Sequence, residues 1–125
     1  MIVGIGLDLA EIDRIEQAIE RHGDAFKRRV YTEAERTYCE SHRRSGERYA
    51  ARFAAKEAGM KALGTGWRGG ITWHDFEVVR QRGGKPTLRL SGVAKTLAEK
   101  LGVKNIVMTI THSGNLAVAQ VIFEN

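Results

Sequence analysis

The chain has 125 residues and a single cysteine, so it is sized for one domain, 1–125, and cannot hold an internal disulfide. Its net charge of +5 points to an anionic partner: nucleic acid, a phosphorylated small molecule or an acidic protein. No apolar run reaches bilayer length, and the opening MIVGIGLDLAEID lacks a basic leader and acquires acids early, which predicts a cytoplasmic protein away from membranes.

Residues 2–7 (IVGIGL) form a short apolar run rich in Ile, read as a buried strand with Asp8 at its C-terminal end. Ile12, Ile15 and Ile19 recur at helical spacing, and Gly23 is a stop signal. Thr32 followed by Glu35 has the spacing of a capping box and predicts a helix through about His42. A longer helix is expected from about Glu47 to Leu63, closed by Gly64. His74, Phe76 and Val78 alternate as in a strand that stops at Arg82-Gly83-Gly84, with Thr87–Leu90 returning as its hairpin partner. Ser91 can cap a helix in which Val93, Leu97 and Leu101 share a face, closed by Gly102. Asn105–Thr111 and Leu116–Phe123 read as two further strands joined by a turn at His112-Ser113-Gly114-Asn115. The expected fold is α+β, a mostly antiparallel sheet packed with helices.

Two acids sit among apolar residues. Asp8 follows the first strand, where it either caps the next helix or faces a ligand loop. Glu57 shares a helix face with Tyr49, Phe53 and Met60, so it is partly removed from water and needs a cation or hydrogen-bond donors. Lys61, one turn later, offers an ordinary surface ion pair. Together, two carboxylates without Cys or His suit Mg²⁺, which takes one or two protein carboxylates and fills its other positions with water and substrate phosphates. The four histidines are far apart and show no zinc spacing.

Other segments suit phosphate. Gly64-Thr65-Gly66 can bring backbone N–H groups close to an anion, or simply end the helix. Arg48, Arg52 and Lys56 form a basic stripe every four residues, either a solvated face or a bed for a phosphate-rich ligand. Gly84-Lys85-Pro86 fits a hairpin turn.

These pieces fall in an order that resembles the phosphopantetheinyl transferases. Val3-Gly4-Ile5-Gly6-Leu7-Asp8-Leu9, with Ile12 and Arg14, resembles the family's first signature. Arg52-Phe53-Ala54-Ala55-Lys56-Glu57-Ala58, with Lys61 and the Ala-Leu-Gly-Thr-Gly run, resembles the second. Gly84-Lys85-Pro86 and Thr111-His112-Ser113 match later segments, and the short length and Phe53 are similar to the holo-acyl-carrier-protein synthase branch. The resemblance implies transfer of 4′-phosphopantetheine from coenzyme A to a serine of an apo-acyl carrier protein, releasing adenosine 3′,5′-bisphosphate, in lipid synthesis. It also implies a homotrimer with active sites between subunits. Asp8 and Glu57 would hold Mg²⁺, and water would take the position of a third acid that longer relatives often supply. Lys61 would support the same phosphates, with Gly64, Thr65 and Gly66 giving backbone contacts. Arg52 and His112 would lie near the nucleotide phosphates, His112 across a subunit boundary, and Gly84, Lys85 and Pro86 would line the adenine side. The general base would be Glu57 or Asp8, with a water-mediated route favoured. Arg14, Arg21 and Arg28 would meet the carboxylates of the acidic carrier.

Two other classes remain open on the residues alone. Arg68-Gly69-Gly70 with Trp67 and Trp73 suggests nucleic-acid stacking, against which stand the many acids and the lack of a recognised nucleic-acid signature. A metal-dependent hydrolase of phosphorylated substrates would use the same two carboxylates.

Overall fold

The computed structural model describes residues 1–125 as an α+β fold. In chain order the elements are β1 (Ile2–Glu11), α1 (Ile12–His22), α2 (Asp24–Val30), α3 (Glu33–Glu40), α4 (Ser45–Leu63), a single 3₁₀ turn (Trp73–Asp75), β2 (Phe76–Arg80), β3 (Pro86–Leu90), α5 (Gly92–Lys100), β4 (Asn105–Ser113) and β5 (Leu116–Glu124). Strands β1, β5 and β4 form one antiparallel sheet in that order, and β2–β3 is a separate antiparallel hairpin. Helix α4 lies across the inner face of the three-stranded sheet, against β1 and β5, with α1, α3, β2 and α5 around its other sides.

The close seat of α4 on β1 has a specific cause. A Cβ at Gly4 would overlap the Ala62 carbonyl oxygen, and a Cβ at Gly6 would overlap that of Ala58 and stand 2.8 Å from the Ala62 nitrogen. Neither glycine has positive φ, so they are required for space and not for backbone conformation. Facing alanines 54, 58 and 62 complete the close approach. The remaining inner face, Ala117, Ala119, Val121, Phe123 and Met108, fills the core beneath the helix.

Several boundaries differ from expectation. β1 runs on to Glu11, so Asp8 lies within the strand and not at its end, and the N-cap of α1 is Glu11. The strand is also not buried on both faces: Ile5, Leu7 and Leu9 point outward and are more than half exposed. Helix α2 was not anticipated, because seven residues give too short a period; it buries Phe26 and Val30. The capping box forms as expected, with the Glu35 amide donating to Thr32 Oγ1 and the Thr32 amide donating to Glu35 Oε1, but α3 ends at Glu40. His74 sits in the 3₁₀ turn, and β2 starts at Phe76. Helix α5 buries Ala94 and Ala98, while Val93 and Leu101 of the expected face are exposed. β4 continues through Ser113, so His112 belongs to a strand and not to a turn. No helix is long and apolar enough to cross a membrane. Burial pushes the thiol of Cys39 up to about 12, which leaves it a packing residue.

Candidate active site

Asp8 projects from the inner face of β1, two residues after Gly6 on the same side. Because Gly6 lets α4 settle on the strand, Asp8 meets the last turns of that helix. Lys61 Nζ donates to Asp8 Oδ1 at 2.9 Å and to the Leu7 carbonyl at 3.1 Å. The expected Glu57–Lys61 pair along the helix is therefore replaced by a pair between helix and strand. Glu57 is half-buried and makes no hydrogen bond or ion pair within the chain. Burial and then the charge of Asp8 raise its pKa from the ordinary glutamate value, with Lys61 opposing. The hydrogen bond to Asp8 raises the pKa of Lys61, keeping it a cation.

No group of three or more His, Cys, Asp or Glu side chains able to hold a metal ion is gathered in the chain. Two carboxylates, one of them without a hydrogen-bond or ion-pair partner in the chain, are the available donors. That set fits a magnesium ion that takes most of its shell from water and a phosphate ligand.

A second cleft lies on another flank of α4. Tyr38, Glu47, Arg48, Ala51, Arg52, Arg80, Pro86, Ile110, Thr111 and His112 line a space of about 160 Å³. It joins three of the expected binding residues, Arg52, Pro86 and His112. Arg52 is only 5% exposed, yet its Nε has no partner, and neither has the buried Nε of Arg48. A buried guanidinium with an unpaired N–H is costly in the empty protein and favourable beside an anion. The Arg52 guanidinium lies 4.0 Å from the centre of the Tyr38 ring, and Arg80 donates to the Tyr38 hydroxyl. His112 Nε2 stands 4.0 Å from Glu47. Tyr38 and Arg80 were missed by sequence reasoning, since they come from α3 and β2 and share no spacing with α4.

The basic stripe does not act as a unit. Lys56 is fully buried, its Nζ 2.7 Å from Glu35 Oε1, so it is neither a solvated charge nor part of a phosphate bed. The glycine segment lines a different groove of about 550 Å³, formed by Gly64, Thr65, Gly66, Arg68, Gly69 and Leu97. Gly84 and Lys85 lie in the β2–β3 turn, and Lys85 borders a smaller groove with Asn105 and Met108. Arg14 and Arg21 line one groove on α1, whereas Arg28 stands on α2 outside it. The tryptophans pack against each other in tilted contacts, Trp67 on Trp73 at 4.3 Å between ring centres and Trp73 on Phe53 at 5.0 Å, so they do not form a row of open stacking faces.

Residues 4–121 match the family model of the 4′-phosphopantetheinyl transferase superfamily. The chain is 63% identical over 125 residues to the holo-[acyl-carrier-protein] synthase of Solibacter usitatus (strain Ellin6076), covering 100% of both chains. Its fold is similar to the crystal structure of holo-[acyl-carrier-protein] synthase from Neisseria meningitidis, with a TM-score of 0.91, 30% identity and 100% of each chain covered. It is also similar to the holo-(acyl-carrier-protein) synthase of Bacillus anthracis str. Ames in complex with CoA (3′,5′-ADP), at a TM-score of 0.79, 39% identity, and 98% and 96% coverage.

Proposed function

Because this chain belongs to the 4′-phosphopantetheinyl transferase superfamily, we propose that it moves 4′-phosphopantetheine from coenzyme A to a serine of apo-acyl carrier protein. The observation that carries this reading is the meeting of Asp8 on β1 with Glu57 and Lys61 on α4.

Mg²⁺, when bound by Asp8 and Glu57, supplies positive charge to the pyrophosphate. Lys61 places its ammonium beside the same oxygens and offsets charge on the departing phosphate. The carrier serine attacks the phosphorus attached to the pantetheine arm, the anhydride P–O bond breaks, and adenosine 3′,5′-bisphosphate leaves. Glu57 takes the serine proton through a bridging water. The Arg48–Arg52–His112 cleft suits the nucleotide phosphates, and the backbone N–H groups of Thr65 and Gly66 suit an anion in the separate glycine groove, the Gly64 amide being taken by the Met60 carbonyl. Lys85, beside Pro86, borders the adenine side in this reading.

A homotrimer with shared sites is the assembly we favour. The outer face of the sheet carries Ile5, Leu7, Leu9, Val107 and Leu116 exposed, more apolar surface than a sheet facing water retains. Asp8 and His112 also stand on opposite edge strands, β1 and β4. A head-to-tail ring would bring one chain's His112 towards the next chain's Asp8. Sedimentation equilibrium on the free protein reads this mass directly. In this reading the reaction belongs to lipid synthesis in the cytoplasm.

The decisive experiment mixes the protein with apo-acyl carrier protein, coenzyme A and Mg²⁺ and follows the carrier by mass spectrometry. The carrier is expected to gain one phosphopantetheine. Release of bisphosphate without any carrier modification would instead identify a hydrolase. Docking is tested by Arg14→Glu, whose side chain is exposed on α1. The KM for carrier protein should rise about tenfold or more with that for coenzyme A unchanged, because charge reversal acts on encounter with an acidic partner. An equal rise in both would remove Arg14 from the docking surface.

A further inference from the structure

Lys56 precedes Glu57 on α4 but turns the opposite way, into the interior. Its ammonium is fully buried and fully satisfied: it pairs with Glu35 Oε1 at 2.7 Å and donates to the carbonyls of Phe76 at 2.7 Å and Trp73 at 3.1 Å. Glu35 is satisfied in turn, accepting from the Thr32 amide and from the Val78 amide at 2.8 Å. Burial depresses the pKa of Lys56, and the charge of Glu35 opposes that shift. An ion pair this deep is a poor source of stability compared with apolar packing, so its presence calls for another explanation.

The carbonyls that Lys56 grips supply one. Trp73 and Phe76 bracket the 3₁₀ turn, which is where the glycine loop after α4 comes back to the body of the protein. That loop contains Gly64, Gly66, Gly69 and Gly70, all at positive φ, and so has little stiffness of its own. Its near end is fixed by α4, where the Gly64 amide donates to the Met60 carbonyl. Its far end is held to the same helix by Lys56. Between these bracketing residues, Asp75 accepts from the Thr72 hydroxyl and from the Ala94 amide in the first turn of α5. Leu97 of α5 is the opposite wall of the groove lined by Gly64, Thr65, Gly66, Arg68 and Gly69. Both walls of that groove are thereby referenced to α4, the helix that carries Glu57 and Lys61.

We infer that Lys56 is a positioning residue for this transferase: it clamps the glycine loop and α5 to α4, setting the coenzyme A groove in register with the Asp8–Glu57–Lys61 cluster. The inference rests on the proposed reading of that groove as a coenzyme A site. Displacement of a binding wall by about 1 Å can cost roughly 10²-fold in rate, the scale expected here.

The test is the double variant Lys56→Met/Glu35→Gln, which removes the ammonium without stranding a buried carboxylate. Amide hydrogen exchange over residues 64–72 should accelerate while α4 and β5 stay protected. The kcat/KM for coenzyme A should fall about 10²-fold, with the KM for carrier protein unchanged. Unchanged exchange in 64–72, or equal rises in both KM values, would overturn the assignment. Glu35→Gln alone is the second variant, in which the Lys56 ammonium keeps both carbonyl bonds. It should lower the melting temperature but leave the coenzyme A KM alone; a large rise in that KM would mean that the ion pair, and not the carbonyl clamp, sets the groove. If the wild-type protein itself transfers nothing, the functional reading fails, and the exchange data still decide the clamp.

Discussion

Glu57→Gln is expected to lower kcat for phosphopantetheine transfer by on the order of 10²–10³-fold while leaving the fold intact, the range seen when one group that stabilises transition-state charge is removed. The reason is that Glu57 contributes little to the free protein. It has no ion pair or hydrogen bond within the chain, and both burial and the Asp8 charge disfavour its ionised form. Taking away its charge relieves that repulsion and forfeits the weaker attraction of Lys61, so stability should change by less than about 1 kcal/mol. If Mg²⁺ binds at Asp8 and Glu57 as proposed, it should raise the melting temperature of the wild type and not that of this variant, because preferential binding stabilises the folded state. Asp8→Asn should match it in activity but cost more stability, because Lys61 loses the charge of its partner at 2.9 Å. Near-normal turnover by Glu57→Gln in saturating magnesium would dismantle the site.

Gly6→Ala should be the most damaging methyl group in the protein. The new Cβ would collide with the Ala58 carbonyl and crowd the Ala62 nitrogen at 2.8 Å, and both belong to backbone that cannot rotate aside. Helix α4 must then lift from β1, at about 3 kcal/mol, the upper range for overpacking. For a chain of this size that corresponds to a fall of roughly 10–15 °C in melting temperature. Activity should fall further than stability explains, even well below the new melting point, because lifting the helix parts Lys61 and Glu57 from Asp8. Full transfer activity with an unchanged melting temperature would show that the glycine is not needed for this seat.

Much of the fold was legible because local physics governs it. The Thr32–Glu35 capping box, the stops at Gly23 and Gly64 and the β2–β3 hairpin are set by backbone hydrogen bonding and turn conformation within a few residues. Asp8 and Glu57 were legible as carboxylates in apolar runs. The misreadings concern what lies opposite a residue. Lys61 was as well spaced for Glu57 as it is close to Asp8, and only the seat of α4 on β1 selects Asp8. Lys56 looked like one more basic residue in a stripe because the Glu35 that pairs with it is distant in the chain. Tyr38 and Arg80 enter the second cleft from separate elements and carried no pattern at all.

By itself, then, the amino-acid order determined most of the elements apart from α2, the helix stops at Gly23 and Gly64, and two carboxylates in apolar surroundings, since each follows from periodicity or from neighbours along the chain. The tertiary structure decided which charge is buried, which pairs across elements and which stands without a partner. Helix α4 makes the reason plain: it is packed on several sides, by β1, β5, α1, α3, β2 and α5, so residues on adjacent faces meet opposite environments. A helical period says which side chains share a face; only the neighbours arriving from elsewhere say whether that face is core, ion pair or binding site.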